Sequence, residues 1–342
     1  MSKKKFSEEE KRFVPDMDYR KKVLSIIIPV YNTEKYLEKC LDSVLAAVDE
    51  SMEVLIINDG STDNSEKVIE QYLKKKPSIF RYFKKANGGL SDVKNYGLQR
   101  AKGNFIIFLD SDDYIESEMY HEMLHLAQEN DSDIVVCDFQ MVFEDQRPSY
   151  TVHCNNAGKK TELEQVLDTW MMATSCNKIV KRDLYSGLEF PKGLHNEDVC
   201  VTPILLGRAK KISVINKPFY NYLQRQGSIQ NSGFDERRFV ILDAAKIAID
   251  YAKELPEDKQ ILIKSSLYLH QILAMAMYPI REQPFKIRYR LLKKYMTRVY
   301  QLFPDFMNIG AFNELVTWDG IKMRIFRRIS LWLLMHRLYG IA

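Results

Sequence analysis

The chain has 342 residues, 46% of them hydrophobic and 28% charged, with 14 Gly and 11 Pro, a balance that excludes collagen-like, low-complexity and wholly disordered proteins. Lys and Arg number 50 against 46 Asp and Glu, a formal charge of +4 that gives no argument for nucleic-acid binding. The charge is unevenly placed: residues 281–342 hold 12 Lys/Arg and 4 Asp/Glu, so the rest of the chain is net acidic. Five scattered cysteines without a CxxC pair suggest neither a disulfide framework nor a zinc site, and fit a reducing compartment. Met1 to Lys22 lacks the apolar stretch of a signal peptide, and no run approaches the ~20 apolar residues of a membrane span. A cytoplasmic protein is expected.

In chain order, apolar runs at 23–30, 53–58, 79–83, 104–110 and 133–139 alternate with amphipathic segments at Thr33–Val48, Asn64–Lys75, Leu90–Ala101 and Ser117–Glu129. The first, second and fourth runs are continuously apolar, as strands buried on both faces are. The alternation predicts a doubly wound α/β core with a mostly parallel sheet. A polar stretch at Tyr150–Lys160 breaks the pattern, and Thr161–Ala173 reads as a helix. From Phe234 only helical patterns follow, at 235–253, 257–278, 284–303 and 321–339, punctuated by Pro256, Pro279 and Pro304. The expected organisation is a polar extension (1–21), an α/β domain (22–233, divided near 140) and a helical region (234–342).

In an open α/β sheet ligands bind beyond the carboxyl ends of the strands, so the residues after each run carry the chemistry. These are Pro29-Val30-Tyr31-Asn32, Asp59-Gly60-Ser61-Thr62-Asp63, Asn87-Gly88-Gly89 and Asp110-Ser111-Asp112-Asp113. The last is the sharpest: clustered carboxylates repel one another, and Asp at i and i+2 suits Mg²⁺ or Mn²⁺ completed by substrate phosphates. The alternative is a solvated acidic loop capping the next helix. An EF-hand is excluded, because Ile115 and His121 stand where Gly and Glu are required. Asp59 and Asp63 could accept hydrogen bonds from a base or ribose, or form a turn and helix cap. No P-loop and no dinucleotide fingerprint occurs, which disfavours NTPases and dehydrogenases.

Seven segments carry a resemblance: SIIIPVYNTEKYLEKCLDSV, VLIINDGSTDNS, NGGLSDVKNYGL, NFIIFLDSDDYI, NKIVKRDLY, HNEDVCVTPILL and QRQGSIQNS. In this order the chain resembles, over about residues 22–235, the type 2 glycosyltransferases of GT-A fold that build bacterial surface polysaccharides, teichoic acids and exopolysaccharides. The resemblance implies a nucleotide-sugar half (22–140) and an acceptor half (141–233). It places Pro29, Tyr31 and Asp59 around the nucleoside, Asp110 by the ribose and Asp112 on the divalent metal. Asn32, Asp63, Asn87, Gly88 and Ser111 fall on the same donor side. Arg225 and Ser228 would contact the phosphates from a closing loop, and Asp198 would be the base, with Glu197 and Lys178 on the acceptor side.

Each of these has a plainer reading. Asp198 could be a first-turn acid complementing a helix dipole. Arg225-Gln-Gly-Ser228 could be a surface loop, and Lys178 a solvated side chain. His195 is expected to orient or to face solvent, without a second His to make a metal pair. Lys94 stands where the family commonly has Arg, keeping the charge but not a bidentate phosphate fork.

The implied activity is inverting, metal-dependent transfer of a sugar from a nucleotide diphosphate, UDP by family tendency, to a lipid-linked saccharide at the inner membrane face. A non-catalytic nucleotide-sugar-binding scaffold is the alternative; a nucleotidyltransferase would need a basic glycine-rich loop that is missing. In segment 321–339, Ile321, Ile325, Ile329, Trp332 and Leu333 share one helical face and Arg324, Arg327 and Arg328 lie off it, so it suits either an anionic membrane surface or packing on protein.

Overall fold

The computed structural model of the protein describes residues 22–225, 239–273 and 284–306. The polar extension 1–21, Ser228 and the segment 321–339 lie outside the described residues. The chain divides into two units that interleave in sequence, Met1–Cys154, Thr174–Gly193 and Ala209–Arg225 in one, Asn155–Ala173, Leu194–Arg208 and Gln226–Ala342 in the other.

The first unit is built on β1 (Leu24–Val30) and β2 (Met52–Asn58), in which every residue is buried. They pair in parallel, flanked by β3 (Phe80–Lys84) on β2 and β4 (Phe105–Phe108) on β1, also parallel. Runs without alternation are thus explained: both faces are covered by helices. In α1 (Glu34–Ala47) the buried residues Leu37, Cys40, Leu41, Val44 and Ala47 form a stripe at helical spacing. α2 (Ser65–Lys75), α3 (Leu90–Leu98) and α4 (Met119–Asn130) complete the alternation the sequence predicts.

Helix α3 lies close on the sheet at Gly97, where a Cβ would stand 2.6 Å from Ile27 Cγ2 and 3.0 Å from Ile57 Cδ1. Gly97→Ala is therefore expected to destabilise by about 1–3 kcal/mol through overpacking, measured as a lower urea midpoint with an unchanged slope. An unaltered midpoint would show that α3 can move off the sheet freely.

Beyond β4 the sheet departs from the parallel pattern. Its order is β3-β2-β1-β4-β8-β6-β9-β5, with β7 (Tyr150–Val152) on β6 (Ile134–Phe143). β8 (Lys178–Lys181) runs antiparallel to both β4 and β6, whereas β9 (Ile212–Gln224) is parallel to β6 with a register shift between Cys137 and Phe139. The two-residue strand β5 (Tyr114–Ile115) pairs antiparallel with β9. This short pairing fixes the acidic tip that immediately precedes it.

In the second unit the helix expected over 161–173 is shorter. α5 (Glu162–Leu167) opens on a capping box between Thr161 and Glu164 and ends at Asp168. Asp168 is fully buried, where Asn156 Nδ2 donates to it at 2.8 Å and His270 Nε2 lies 3.3 Å away. Satisfying a buried carboxylate outweighs another turn of helix. α6 (Glu197–Arg208), α7 (Val240–Ala252), α8 (Glu257–Ser266), a π-helical stretch (Leu267–Leu273) and α9 (Phe285–Leu302) follow. All five cysteines are free and buried. No helix among the described residues is long and apolar enough to cross a membrane.

Candidate functional site

The loops after β1 and β2 are laced together. Asn32, at φ 51°, accepts from the Thr62 amide at 2.8 Å, and its own amide donates to Ser61 Oγ at 3.1 Å. Asp63 accepts from the Glu34 amide (2.9 Å) and the Ser65 amide (3.0 Å), so its carboxylate serves the first turns of α1 and α2. Burial opposes the Asp63 charge, but the Ser65 side chain and these amides together hold its pKa below the ordinary value. Pro29 is buried in β1, whereas Tyr31 is 51% exposed at the mouth of this loop pair.

Asp59 is 3% exposed and organises the Asn87-Gly88-Gly89 loop. Its Oδ1 accepts from Lys85 Nζ at 2.5 Å and the Gly88 amide at 2.9 Å, its Oδ2 from the Gly89 amide at 2.8 Å, and Asn87 Nδ2 donates to its carbonyl at 3.1 Å. Oδ2 thus keeps capacity for one further donor, the need of a planar N–H such as a base edge offers. Lys85 also pairs with Asp92 at 2.7 Å; although burial works against its charge, Asp59 and Asp92 raise its pKa. A Cβ at Gly88 would meet Asp92 Oδ2 at 2.5 Å, and Gly89 has φ 82°. Gly89 is favoured there by its backbone conformation, whereas a side chain at Gly88 would displace the flexible ends of Asp92 and Lys85.

At the acidic tip the four residues separate. Asp113 turns inward, 1% exposed, accepting from Tyr220 Oη at 2.7 Å and the Leu223 amide at 2.8 Å. Burial, then the nearby Asp112 and Asp110 charges, push its pKa well above the ordinary value. Ser111 is buried too, accepting from Thr33 Oγ1 at 3.0 Å. Asp110 and Asp112 remain half-buried. Both Nε and Nη2 of Arg225, the residue just after β9, lie 2.8 Å from Asp112 Oδ2, while the guanidinium stacks 5.0 Å from the ring centre of Tyr36. Tyr36 in turn donates to Glu144 at 3.1 Å.

The picture of a wholly solvated acidic loop is corrected: one carboxylate is core and another is ion-paired. Among the described residues no group of three His, Cys, Asp or Glu side chains is placed to cage a metal. Asp110 and Asp112 could offer a hard cation one or two carboxylates, the number Mg²⁺ or Mn²⁺ takes alongside phosphate oxygens and water.

Two lysines lie deeper than expected. Lys94 is 2% exposed, donates to Ser175 Oγ at 3.2 Å and places Nζ 5.2 Å from the ring centres of both Phe108 and Phe190. Lys178 is 1% exposed and donates to the Thr174 carbonyl and Asn177 Oδ1, each at 2.8 Å. Its reading as a solvated side chain is overturned, because Asn177 and Thr174 supply the acceptors that a buried ammonium requires.

In the second unit, Asn196 at φ 63° leads into α6, whose first turn carries Glu197 (6% exposed) and the half-buried Asp198. The helix dipole favours both charges there. Burial, then Glu197 and Asp198, push the Cys200 thiol up to about 12.

Residues 25–188 match the family described as Glycosyl transferase family 2. Glycosyltransferase GlyG of Streptococcus pneumoniae is 27% identical over 62% of this chain and 74% of its own. The uncharacterized glycosyltransferase EpsJ of Bacillus subtilis is 30% identical over 60% of this chain, which spans 62% of that relative. Among solved structures, S. aureus TarS 1-349 in complex with UDP-GlcNAc aligns with a TM-score of 0.67 at 21% identity, over 93% of this chain and 88% of that one.

Residues 25–188 thus form a glycosyltransferase family 2 region of this chain. The expected donor-side segments after β1 to β4 are joined by hydrogen bonds, from Asn32 to Thr62, from Asp59 to Gly89 and from Thr33 to Ser111. Reading the sequence missed Lys85, Tyr36 and Tyr220. A cation directly after β3 was a usable signal for Lys85. Nothing local marks Tyr220, whose partner Asp113 lies 107 residues away.

Proposed function

We propose that this glycosyltransferase moves a sugar from a UDP-linked donor to a hydroxyl of a growing, lipid-linked surface glycan, with inversion and with a divalent metal, at the cytoplasmic face of the membrane. The observation that carries the reading is the pairing of Asp112 with Arg225 at the tip of the sheet. A metal-bound diphosphate presents the same two charges, a cation for the carboxylate and anionic oxygens for the guanidinium. UDP is favoured by the UDP-GlcNAc bound to TarS, and the surface glycan by relatives such as the minor teichoic acid biosynthesis protein GgaB.

The chain's own residues divide the work. Asp59 and the glycine loop receive the base, and Tyr31 offers an exposed ring beside them. Arg225 binds the phosphates. Asp110 and Asp112 would hold a divalent cation, which when bound would supply charge neutralisation for the leaving diphosphate. Asp198 takes the proton of the acceptor hydroxyl as its oxygen bonds to the anomeric carbon and the bond from that carbon to the phosphate oxygen breaks. In-line attack inverts the centre.

Thermal unfolding with a panel of nucleotide sugars and Mn²⁺ tests the donor class. A UDP-sugar at a hundred times its Kd adds about 2.7 kcal/mol to stability, a rise of several degrees. A panel in which no nucleotide sugar raises the midpoint would remove the proposal. Membrane contact through 321–339 is part of the same reading, and unchanged vesicle binding after removal of residues 321–342 would refute it.

A further inference from the structure

Within the second unit α9 has two unlike sides. Leu291, Leu292, Tyr295, Met296 and Val299 are buried, none more than 4% exposed. Lys286, Ile287, Tyr289, Arg290, Lys293 and Lys294 are exposed. The helix FKIRYRLLKKYMTRVYQL holds six Lys and Arg and no Asp or Glu. Lys286, Arg290 and Lys293 recur at i, i+4 and i+7, so their stems rise along a single ridge. Beside them opens a cavity of about 760 Å³ to which Phe239, Tyr289, Arg290, Lys293, Lys294 and Arg298 contribute. Among the described residues its lining holds no carboxylate; Arg298 is paired with Asp243 of α7.

Like charges spaced at i and i+4 destabilise a helix. Among the described residues no carboxylate pairs with Lys286, Arg290 or Lys293, so this ridge offers its charge to anions arriving from outside. Apolar surface on the same side decides between sources of anion. Ile287 is 39% and Tyr289 42% exposed, one at each margin of the cationic ridge. A soluble polyanion has no use for an exposed isoleucine and a tyrosine ring there. A lipid surface has a use for both, since basic side chains reach the phosphates while aliphatic and aromatic groups enter the boundary between headgroup and acyl chain.

We propose that the exposed face of α9 docks this protein on an anionic lipid bilayer, with lipid phosphates against Lys286, Arg290 and Lys293 and with Ile287 and Tyr289 in the headgroup boundary. The proposal is independent of the donor-site reading and concerns a surface distinct from segment 321–339.

The test is sedimentation of the full chain with phosphatidylcholine vesicles, with and without phosphatidylglycerol. Binding is expected only with the anionic lipid, and it should fall as salt rises. K286Q/R290Q/K293Q should lose about a hundredfold in partitioning, from roughly fivefold per cation near a charged surface. I287S/Y289S should weaken binding without altering its dependence on salt. Both variants alter exposed positions, so an unchanged unfolding midpoint certifies their fold, and an unchanged response to nucleotide sugars keeps this result separate from the donor site. The full chain retains 321–339; equal vesicle binding by K286Q/R290Q/K293Q and the unmodified protein would therefore assign docking elsewhere and overturn the proposal. Equal binding to uncharged vesicles would overturn it as well, as would a face that binds inorganic polyphosphate while I287S/Y289S leaves vesicle binding intact.

Discussion

Asp112→Asn is expected to lower sugar transfer by about 10²–10³-fold, the usual cost of removing one electrostatic contact to charge that develops in a transition state. The substitution keeps an oxygen that can accept from Arg225, now 2.8 Å from Asp112 Oδ2, and deletes only the negative charge. The tip should keep its shape: Asp113 remains anchored to Tyr220 and Leu223, and Ser111 to Thr33. Loss of activity would therefore report loss of cation support. Initial rates across a Mn²⁺ titration, with UDP affinity measured in parallel, check this. Full activity of the variant in excess Mn²⁺ would show that Asp112 is only the structural partner of Arg225.

Asp198→Asn is expected to reduce the rate of the transfer step by about 10²–10⁴-fold while leaving donor affinity intact, because general base catalysis is worth that much and Asn accepts no proton. The competing role of Asp198, a first-turn acid on α6, predicts a different pattern. A lost charge–dipole contact costs about 0.3–1 kcal/mol of stability and leaves turnover alone. Single-turnover rates and the unfolding midpoint, measured on the same variant, separate the two. A small drop in midpoint with an unaltered rate would remove Asp198 from the chemistry.

Much of the candidate donor side was legible because it is local. β1, β2 and β4 announce themselves as unbroken apolar runs, and the polar residues after each must lie at one edge of a parallel sheet. Boundaries held closely too: the segments Thr33–Val48 and Asn64–Lys75 contain α1 and α2 almost end to end. β9 was not legible. ISVINKPFYNYLQ interrupts its apolar residues with Asn, Lys and Pro, and only pairing with β6 along one margin and β5 along the other makes it a strand. The shortening of α5 was equally hidden, since Asp168 is drawn off by Asn156 and by His270, 102 residues away.

Composition and spacing alone settled the parallel core and the set of polar residues beyond its strands, because strand burial and helix periodicity are written in consecutive residues; the family was carried by the resemblance of seven segments. Tertiary structure decided which partners each of those residues meets. Four acidic-tip positions look equivalent in sequence, yet β9 takes Asp113 into the core, Thr33 takes Ser111, and Arg225 neutralises Asp112. The physical reason is that a carboxylate's charge state and availability depend on its desolvation and its partners, and those partners arrive from more than a hundred residues along the chain.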